Sequence, residues 1–388
     1  MTTQAANNWL SLTSAATAAV VVGFASTILV VIEGAKAVGA TPTQQASTAA
    51  ILCFTMALTS FILAFRYKQP IMVAWSTPGS ALMATGATGI AFPDAVGAFM
   101  VAGALMVLTA LIKPLSVAIS RLPPALAAAM LAGVLLRYVL GVPTAALDLP
   151  VFVVPLVIAF FALRVLVPMF TVPVIVVLGL VFAGLSGSFS GPVHIGVTPL
   201  ELVWPHWNLQ VVIGLGLPLY LVTMASQNLP GFAVLKANGY QPPITACLFV
   251  TGLGSVLTAP FGTHAVNMAA ITAALVAGPD AHPDPKQRWK MIYPYTLLYV
   301  VFGLAAGTFV SLLGAMPKSL VTAIAGLALF SPLMAGLTGM VKDPRDVEAA
   351  MVTFLVTASG VTIYGIGAAF WGLLAGLLVW AVKHAQQR

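Results

Sequence analysis

Charged side chains are scarce in this chain. Only 6% of its 388 residues are Asp, Glu, Lys or Arg, whereas 60% are hydrophobic. Water-soluble domains carry roughly 25% charged residues, so no such fold could hide this much apolar surface. A helix needs about 20 apolar residues to cross the hydrocarbon core. The sequence therefore predicts an all-α polytopic membrane protein, surrounded by lipid, with about fourteen transmembrane segments.

Cysteine and clustered ionisable residues are also scarce. Cys53 and Cys247 both lie in apolar runs, which favours burial as small hydrophobes over a disulfide or a metal site. The cationic residues are scattered singly rather than gathered into a stripe, so no nucleic acid partner is predicted. A membrane enzyme would need clustered His, Asp, Glu or Cys around a buried site. We therefore predict no enzyme, no cofactor and no metal site.

The few cationic residues are unevenly distributed. With fourteen spans and a cytoplasmic amino terminus, only Lys36, Arg137 and Lys318 of the 16 Lys and Arg residues fall on the outer side. This bias is what the positive-inside rule requires of a correct span count. We expect a multi-pass protein of the inner (cytoplasmic) membrane with both termini in the cytoplasm.

Two predicted spans are interrupted in the same way. The third, near residues 70–89, contains QPIMVAWSTPGSALMATG, in which a β-prone run precedes Ser76, Thr77, Pro78 and Gly79. The tenth, near residues 259–278, contains PFGTHAVNMAAITAA. The pattern predicts a short extended stretch before a half-helix in each span, with the half-helices beginning near Pro78 and Thr263.

The interruptions occupy matching positions in two halves of seven spans, residues 1–195 and 196–388. Because seven is odd, the second half enters from the opposite face, which makes an inverted repeat. The first and eighth spans also match weakly, since both carry small or polar residues midway. We expect the eighth span to be broken near Gln227 and Asn228.

Interrupted helices at matching positions indicate the substrate site of a transporter. The amino ends of two half-helices carry free N–H groups and positive dipole ends, which favour an anion. The alternative is that these polar side chains only bond neighbouring helices. The predicted substrate-binding residues come from the first, third, eighth and tenth spans: Ser26, Ser76, Thr77, Pro78, Gly79, Gln227, Asn228, Thr263, His264 and Asn267.

Two ionisable residues inside spans are candidates for proton coupling. His264 could bind substrate or exchange protons, since an unperturbed imidazole titrates near 6.5, or its ring could only brace the break. Glu33 lies three residues before Lys36 on the same helical face, so it could form an interfacial ion pair or carry a proton.

Three stretches of this sequence resemble the BenE family of benzoate/proton symporters. They are AWSTPGSA (Ala74–Ala81), QNLPGFAVLKANGY (Gln227–Tyr240) and TAPFGTHAVNMAAITAA (Thr258–Ala274). The resemblance implies a fold like that of the uracil and sulfate carriers. In that fold a core domain, here spans 1–4 and 8–11, moves against a gate domain, here spans 5–7 and 12–14. It also implies uptake of benzoate, or a similar small aromatic carboxylate, with a proton, and by analogy a homodimer.

One departure bears on the substrate. The uracil-type relatives hold a nucleobase with acidic residues on the eighth and tenth helices, whereas the matching stretches here offer Gln227, Asn228 and Asn267. This difference favours an anionic substrate over a neutral base. Two other functions stay open at this point: a nucleobase or inorganic-anion carrier of the same fold, and an anion channel.

Overall fold

The structure is a computed structural model that describes residues 2–86, 89–115, 123–190, 193–364 and 366–386. It is 77% helical. Among the described residues, seven helices are long and apolar enough to cross a membrane, or up to nine if each of two bent helix pairs is one span. Long apolar helices are thus the main element, as the scarcity of charge predicts.

The first part of the chain forms four helices and one strand. α2 begins at a capping box, in which the Thr41 hydroxyl accepts from the Gln44 backbone and the Gln44 side chain accepts from the Thr41 backbone. It ends at Tyr67, and the next residue, Lys68, adopts a left-handed conformation. The elements are α1 (Thr2–Ala37), α2 (Pro42–Tyr67), β1 (Val73–Trp75), α3 (Thr77–Gly86) and α4 (Phe92–Leu111).

The middle of the chain is helical. Proline occupies the first turn of both α5 and α6, where its missing N–H costs no helical hydrogen bond. The elements are α5 (Pro124–Asp148), α6 (Pro150–Leu166), α7 (Thr171–Leu185), α8 (Leu209–Ala237) and α9 (Ile244–Thr258).

The last part contains the second strand and the bent helix pairs. The axis bends by 52° between α11 and α12 and by 40° between α13 and α14. The elements are β2 (Val266–Met268), α10 (Ala270–Ala277), α11 (Ile292–Leu304), α12 (Ala306–Gly314), α13 (Lys318–Ala328), α14 (Phe330–Met340), α15 (Val347–Ser359) and α16 (Ala368–Gln386).

The two strands pair with each other in the interior. They are antiparallel, with Val73 opposite Met268, Ala74 opposite Asn267 and Trp75 opposite Val266. Each strand is followed by a single residue and then by a helix, α3 after β1 and α10 after β2. The two helices therefore begin at opposite ends of the strand pair, with their amino ends directed toward it.

The tenth half-helix begins later than the sequence predicts. A 3-10 turn (Ala259–Phe261) and the left-handed Gly262 follow α9. Thr263 and His264 then lie in extended chain before β2, and the helix starts only at Ala270. The prediction of a helix beginning near Thr263 was wrong because Pro260 and Gly262 end the preceding helix rather than start the next one.

The eighth span is continuous, whereas the sequence predicts a break in it. α8 runs without interruption through Gln227 and Asn228, with π-helical segments at Val212–Gly216 and Met224–Asn228. Pro230 cannot donate a hydrogen bond to the carbonyl four residues before it, and the wider π turn that precedes it accommodates this loss. The break predicted here is therefore a local widening of the helix.

Helix packing around the strands follows a reciprocal pattern. α2 packs along α11, and α4 packs along α9. A separate group forms around α5, which packs against α13, α14 and α15, while α16 packs along α15. The strand pair lies in the first of these groups.

Candidate functional site

Side-chain hydroxyls of the neighbouring helices hold both strands at their first residues. The Val73 N–H donates to Ser60 Oγ of α2, and the Val266 N–H donates to Ser255 Oγ of α9, each at 2.9 Å. The Tyr295 hydroxyl donates to the Val73 carbonyl oxygen at 2.9 Å. These polar groups are buried, and an unpaired buried N–H costs about 1–3 kcal/mol. The serines therefore fix the strand pair within the packed helices.

Ser76 caps the start of α3. Its hydroxyl accepts from the Gly79 N–H at 3.1 Å and shares a 2.8 Å hydrogen bond with the Thr223 hydroxyl of α8. Thr77, the next residue, is half-buried, and its side chain forms no hydrogen bond within the described chain. Thr77 is therefore the side chain at this helix end that is free to bind a ligand.

Asn267 lies at the centre of the strand pair and is fully buried. Its amide fits with the oxygen accepting from the Ser76 N–H and the nitrogen donating to the Met268 carbonyl, each at 3.0 Å. Both ends of the amide are thus used by backbone groups, one at the start of α3 and one at the end of β2.

Among the described residues, no side chain caps the start of α10. The Ala269 N–H donates to the Met72 carbonyl oxygen at 2.9 Å, but the cap position has no side-chain hydrogen bond. The first N–H groups of an α-helix have no partner within the helix. Together with the helix dipole, these amides favour an anion.

The π segment of α8 contributes residues with different partners. The Asn228 side chain accepts from the Met268 N–H at 2.9 Å and contacts Met224 Sδ at 3.4 Å. Gln227 is half-buried, and its side chain forms no hydrogen bond within the described chain. The Ser226 hydroxyl is buried without a partner there. π segments are frequent at functional sites. This segment leaves the Gln227 amide and the Ser226 hydroxyl without a hydrogen-bond partner in the described chain.

His264 is buried beside the start of α3. Its Nε2 lies 3.0 Å from both the Ser80 hydroxyl and the Ser76 carbonyl oxygen. In the described chain, its Nδ1 and the Thr263 hydroxyl are buried without partners. The imidazole thus reaches the residue that caps α3, although it does not begin the tenth half-helix.

α1 reaches the site through an aromatic contact that the sequence prediction missed. The Trp75 indole N–H donates to the Thr27 hydroxyl at 2.8 Å, and its ring contacts Phe24 edge-on at 5.9 Å. Phe24 in turn stacks on Phe302 of α11 at 4.6 Å. Ser26 is half-buried and its hydroxyl forms no hydrogen bond with a described residue. The β-prone sequence around Trp75 does not indicate that Thr27 and Phe24 are its partners.

Close backbone approach explains two of the small residues. A Cβ added at Gly231 of α8 would lie 2.6 Å from Met268 Cβ, so α8 touches β2 directly. A Cβ at Gly79 would meet the Leu219 side chain. Pro78 and Gly79 are both buried in the first turn of α3.

Glu33 lies away from the strand pair. Its carboxylate forms an ion pair with Lys36 at 3.7 Å, as the three-residue spacing predicts. Both residues line a cavity of about 700 Å³ near the end of α1. In the described structure, none of the residues predicted to bind substrate lines this cavity.

Comparisons with known proteins agree on family and fold. The family described as BenE, benzoate membrane transport protein, matches residues 6–382. Inner membrane protein YdcO of Escherichia coli (strain K12) is 37% identical over 369 residues, which are 94% of each chain. The benzoate membrane transport protein of Acinetobacter baylyi is 29% identical and covers 96% of this chain and 95% of its own.

Solved structures of anion transporters share the fold. The transmembrane domain of the cyanobacterial bicarbonate transporter BicA superposes with a TM-score of 0.63 at 15% identity, covering 95% of this chain and 97% of its own. SLC26A9 gives a TM-score of 0.65 at 13% identity over 96% of this chain, which spans 65% of that protein's length. The sequence match over nearly the whole chain confirms the resemblance seen in its motifs: this protein belongs to the benzoate membrane transport (BenE) family of membrane transporters.

Proposed function

We propose that this transporter imports benzoate, or a similar small aromatic carboxylate, together with a proton. The observation that carries the proposal is the strand pair with one half-helix at each end. The positive dipole ends of the two half-helices are directed toward the strand pair from its two ends, and such helix ends favour a carboxylate. No described Asp or Glu bonds to the strand pair or the half-helix starts.

The proposed substrate contacts are made by polar groups that have no hydrogen-bond partner within the described chain. The proposed hydrogen-bond donors to the substrate are the Thr77 side chain at the start of α3, the first amides of α10 and the Gln227 amide, with Ser26 as a further candidate on α1. Ser76, Asn228 and Asn267 bond the backbone instead. Their role in the proposal is indirect, since they hold the backbone of the strands and of α3 in position around the substrate.

The transport cycle in this proposal is alternating access. Fourteen spans form two inverted repeats, 1–195 and 196–388, with both termini in the cytoplasm. A core of spans 1–4 and 8–11 moves against a gate of spans 5–7 and 12–14. The proposal is supported by the reciprocal packing of α2 on α11 and α4 on α9. It is also supported by the two serines, Ser60 and Ser255, that hold the two strands in the same way.

Two groups carry the proton in this proposal. His264 bonds the carbonyl of Ser76 beside Thr77, so a proton on its ring stabilises a carboxylate bound nearby. Glu33 is paired with Lys36 at a cavity, where it can exchange protons with water. Import of one anion with one proton transfers no net charge.

Uptake into proteoliposomes tests the function. With an inward proton gradient, purified folded protein should accumulate radiolabelled benzoate above its external concentration, and a protonophore should abolish the accumulation. Benzoate that only equilibrates, with or without the gradient, would indicate a channel or uniporter and refute symport.

A further inference from the structure

The cavity near the end of α1 has the size and lining of a small-molecule site. Its volume of about 700 Å³ lies within the range of ligand pockets. It is bounded by α1, α2, residue 190, residues 194–199, α12 and α13. Its apolar wall is formed by Leu29, Ile32, Val310, Leu313, Met316 and Val321.

The charges in this cavity favour an anion. Lys36 and Lys318 both line it, and Glu33 is the one carboxylate among the described lining residues. Glu33 pairs with Lys36 at 3.7 Å. Lys318 is exposed and forms no ion pair with any described residue. An unpaired cation beside an apolar wall suits a molecule with one carboxylate and one apolar ring.

A single face of α1 connects the cavity with the strand pair. Ser26, Leu29, Glu33 and Lys36 follow each other at intervals of three, four and three residues, so their side chains lie along one side of the helix. Leu29, Glu33 and Lys36 line the cavity. Ser26 lies one turn deeper, next to Thr27, which bonds Trp75 of β1.

We infer that this cavity is a capture site, at which an aromatic carboxylate binds with its carboxylate on Lys318 and its ring on the apolar wall before it reaches the half-helices. The inference rests on the proposed function. Cationic groups at the mouth of a cleft raise the local concentration of anions and their rate of association. The capture site therefore acts on the apparent affinity for external substrate and not on the rate of the transport step.

Initial rates of benzoate uptake by intact cells test this site. Lys318→Gln should raise KM about threefold to tenfold with an unchanged maximal rate, because it removes the unpaired cation. Lys318→Arg should keep the parent KM. Lys342→Gln is the matched control, since Lys342 is also exposed but does not line the cavity, and its KM should equal that of the parent.

Competition for uptake should also depend on the chemistry of the anion. Unlabelled benzoate should inhibit the uptake of labelled benzoate at low concentrations, whereas the same concentrations of acetate or phosphate should not, because they lack the ring. Competition by phosphate equal to that by benzoate would indicate a general anion site and overturn the inference. Equal KM values for the parent, Lys318→Gln and Lys342→Gln would also overturn it, while leaving benzoate transport intact. Failure of the parent to transport benzoate would instead refute the proposed function.

Discussion

Hydrogen bonding divides the residues at the strand pair into two groups. Ser76, Asn228 and Asn267 bond backbone groups of the strands and of α3. The side chains of Thr77 and Gln227 form no hydrogen bond within the described chain. The sequence predicts the polar types at these positions, but it does not distinguish the two groups, because a partner such as the Met268 N–H depends on strand register.

Substitution at two adjacent positions should separate these groups. Gln227→Ala should weaken benzoate binding about tenfold, the cost of one hydrogen bond to a charged group, with little change in Tm. Asn228→Ala should lower the free energy of unfolding by about 1–3 kcal/mol, because the buried Met268 N–H loses its acceptor. Isothermal titration calorimetry and thermal unfolding in detergent measure both. A large loss of Tm in Gln227→Ala with parent affinity would contradict the division.

The two proton-coupling candidates can be tested by comparing accumulation with exchange. If His264 or Glu33 carries the proton, His264→Gln or Glu33→Gln should abolish proton-driven accumulation. Exchange of external labelled benzoate for internal unlabelled benzoate should continue, since exchange needs no net proton movement. Undiminished accumulation in both variants would remove these residues from the coupling mechanism.

At the scale of elements, the sequence predicts the two interruptions and the extended stretches but misplaces one helix start. Around Ser76 the strand, the cap and the helix follow each other within a few residues, so the local pattern is sufficient. Around Gly262 the breaking residues precede the strand, and β2 ends where its pairing with β1 ends, at Met268 opposite Val73. That limit is a long-range property that a local pattern does not contain.

The close contact between α8 and β2 predicts the effect of a substitution at Gly231. Gly231→Ala should push the π segment away from Met268, because the added Cβ would lie 2.6 Å from Met268 Cβ. We expect weaker benzoate binding together with a lower Tm. Gly278→Ala is a suitable control, since a Cβ at Gly278 meets nothing within 4 Å. Equal behaviour of the two variants in both measurements would contradict the contact.

At the scale of the molecule, composition predicts the class well because the bilayer imposes it. A chain with so little charge must place its helices in lipid, and the structure contains long apolar helices. The reciprocal packing of α2 on α11 and α4 on α9 cannot be derived from composition, since it depends on how the two halves meet.

If the halves are inverted repeats, equivalent residues should contribute equally. Ser60→Ala and Ser255→Ala each leave one buried strand N–H without an acceptor. Each should therefore lower the free energy of unfolding by about 1–3 kcal/mol, and the two losses should be similar. Chemical unfolding in mixed micelles measures them. A loss confined to one serine would argue against equivalent roles.

The proposed function depends on a carboxylate that binds at the strand pair, between the two half-helices. An electron cryomicroscopy structure with benzoate bound would locate that carboxylate. We expect density for benzoate beside Gln227, with the carboxylate within hydrogen-bonding distance of Thr77 or of the first amides of α10. Benzoate density elsewhere, with only protein or lipid between α3 and α10, would contradict the account.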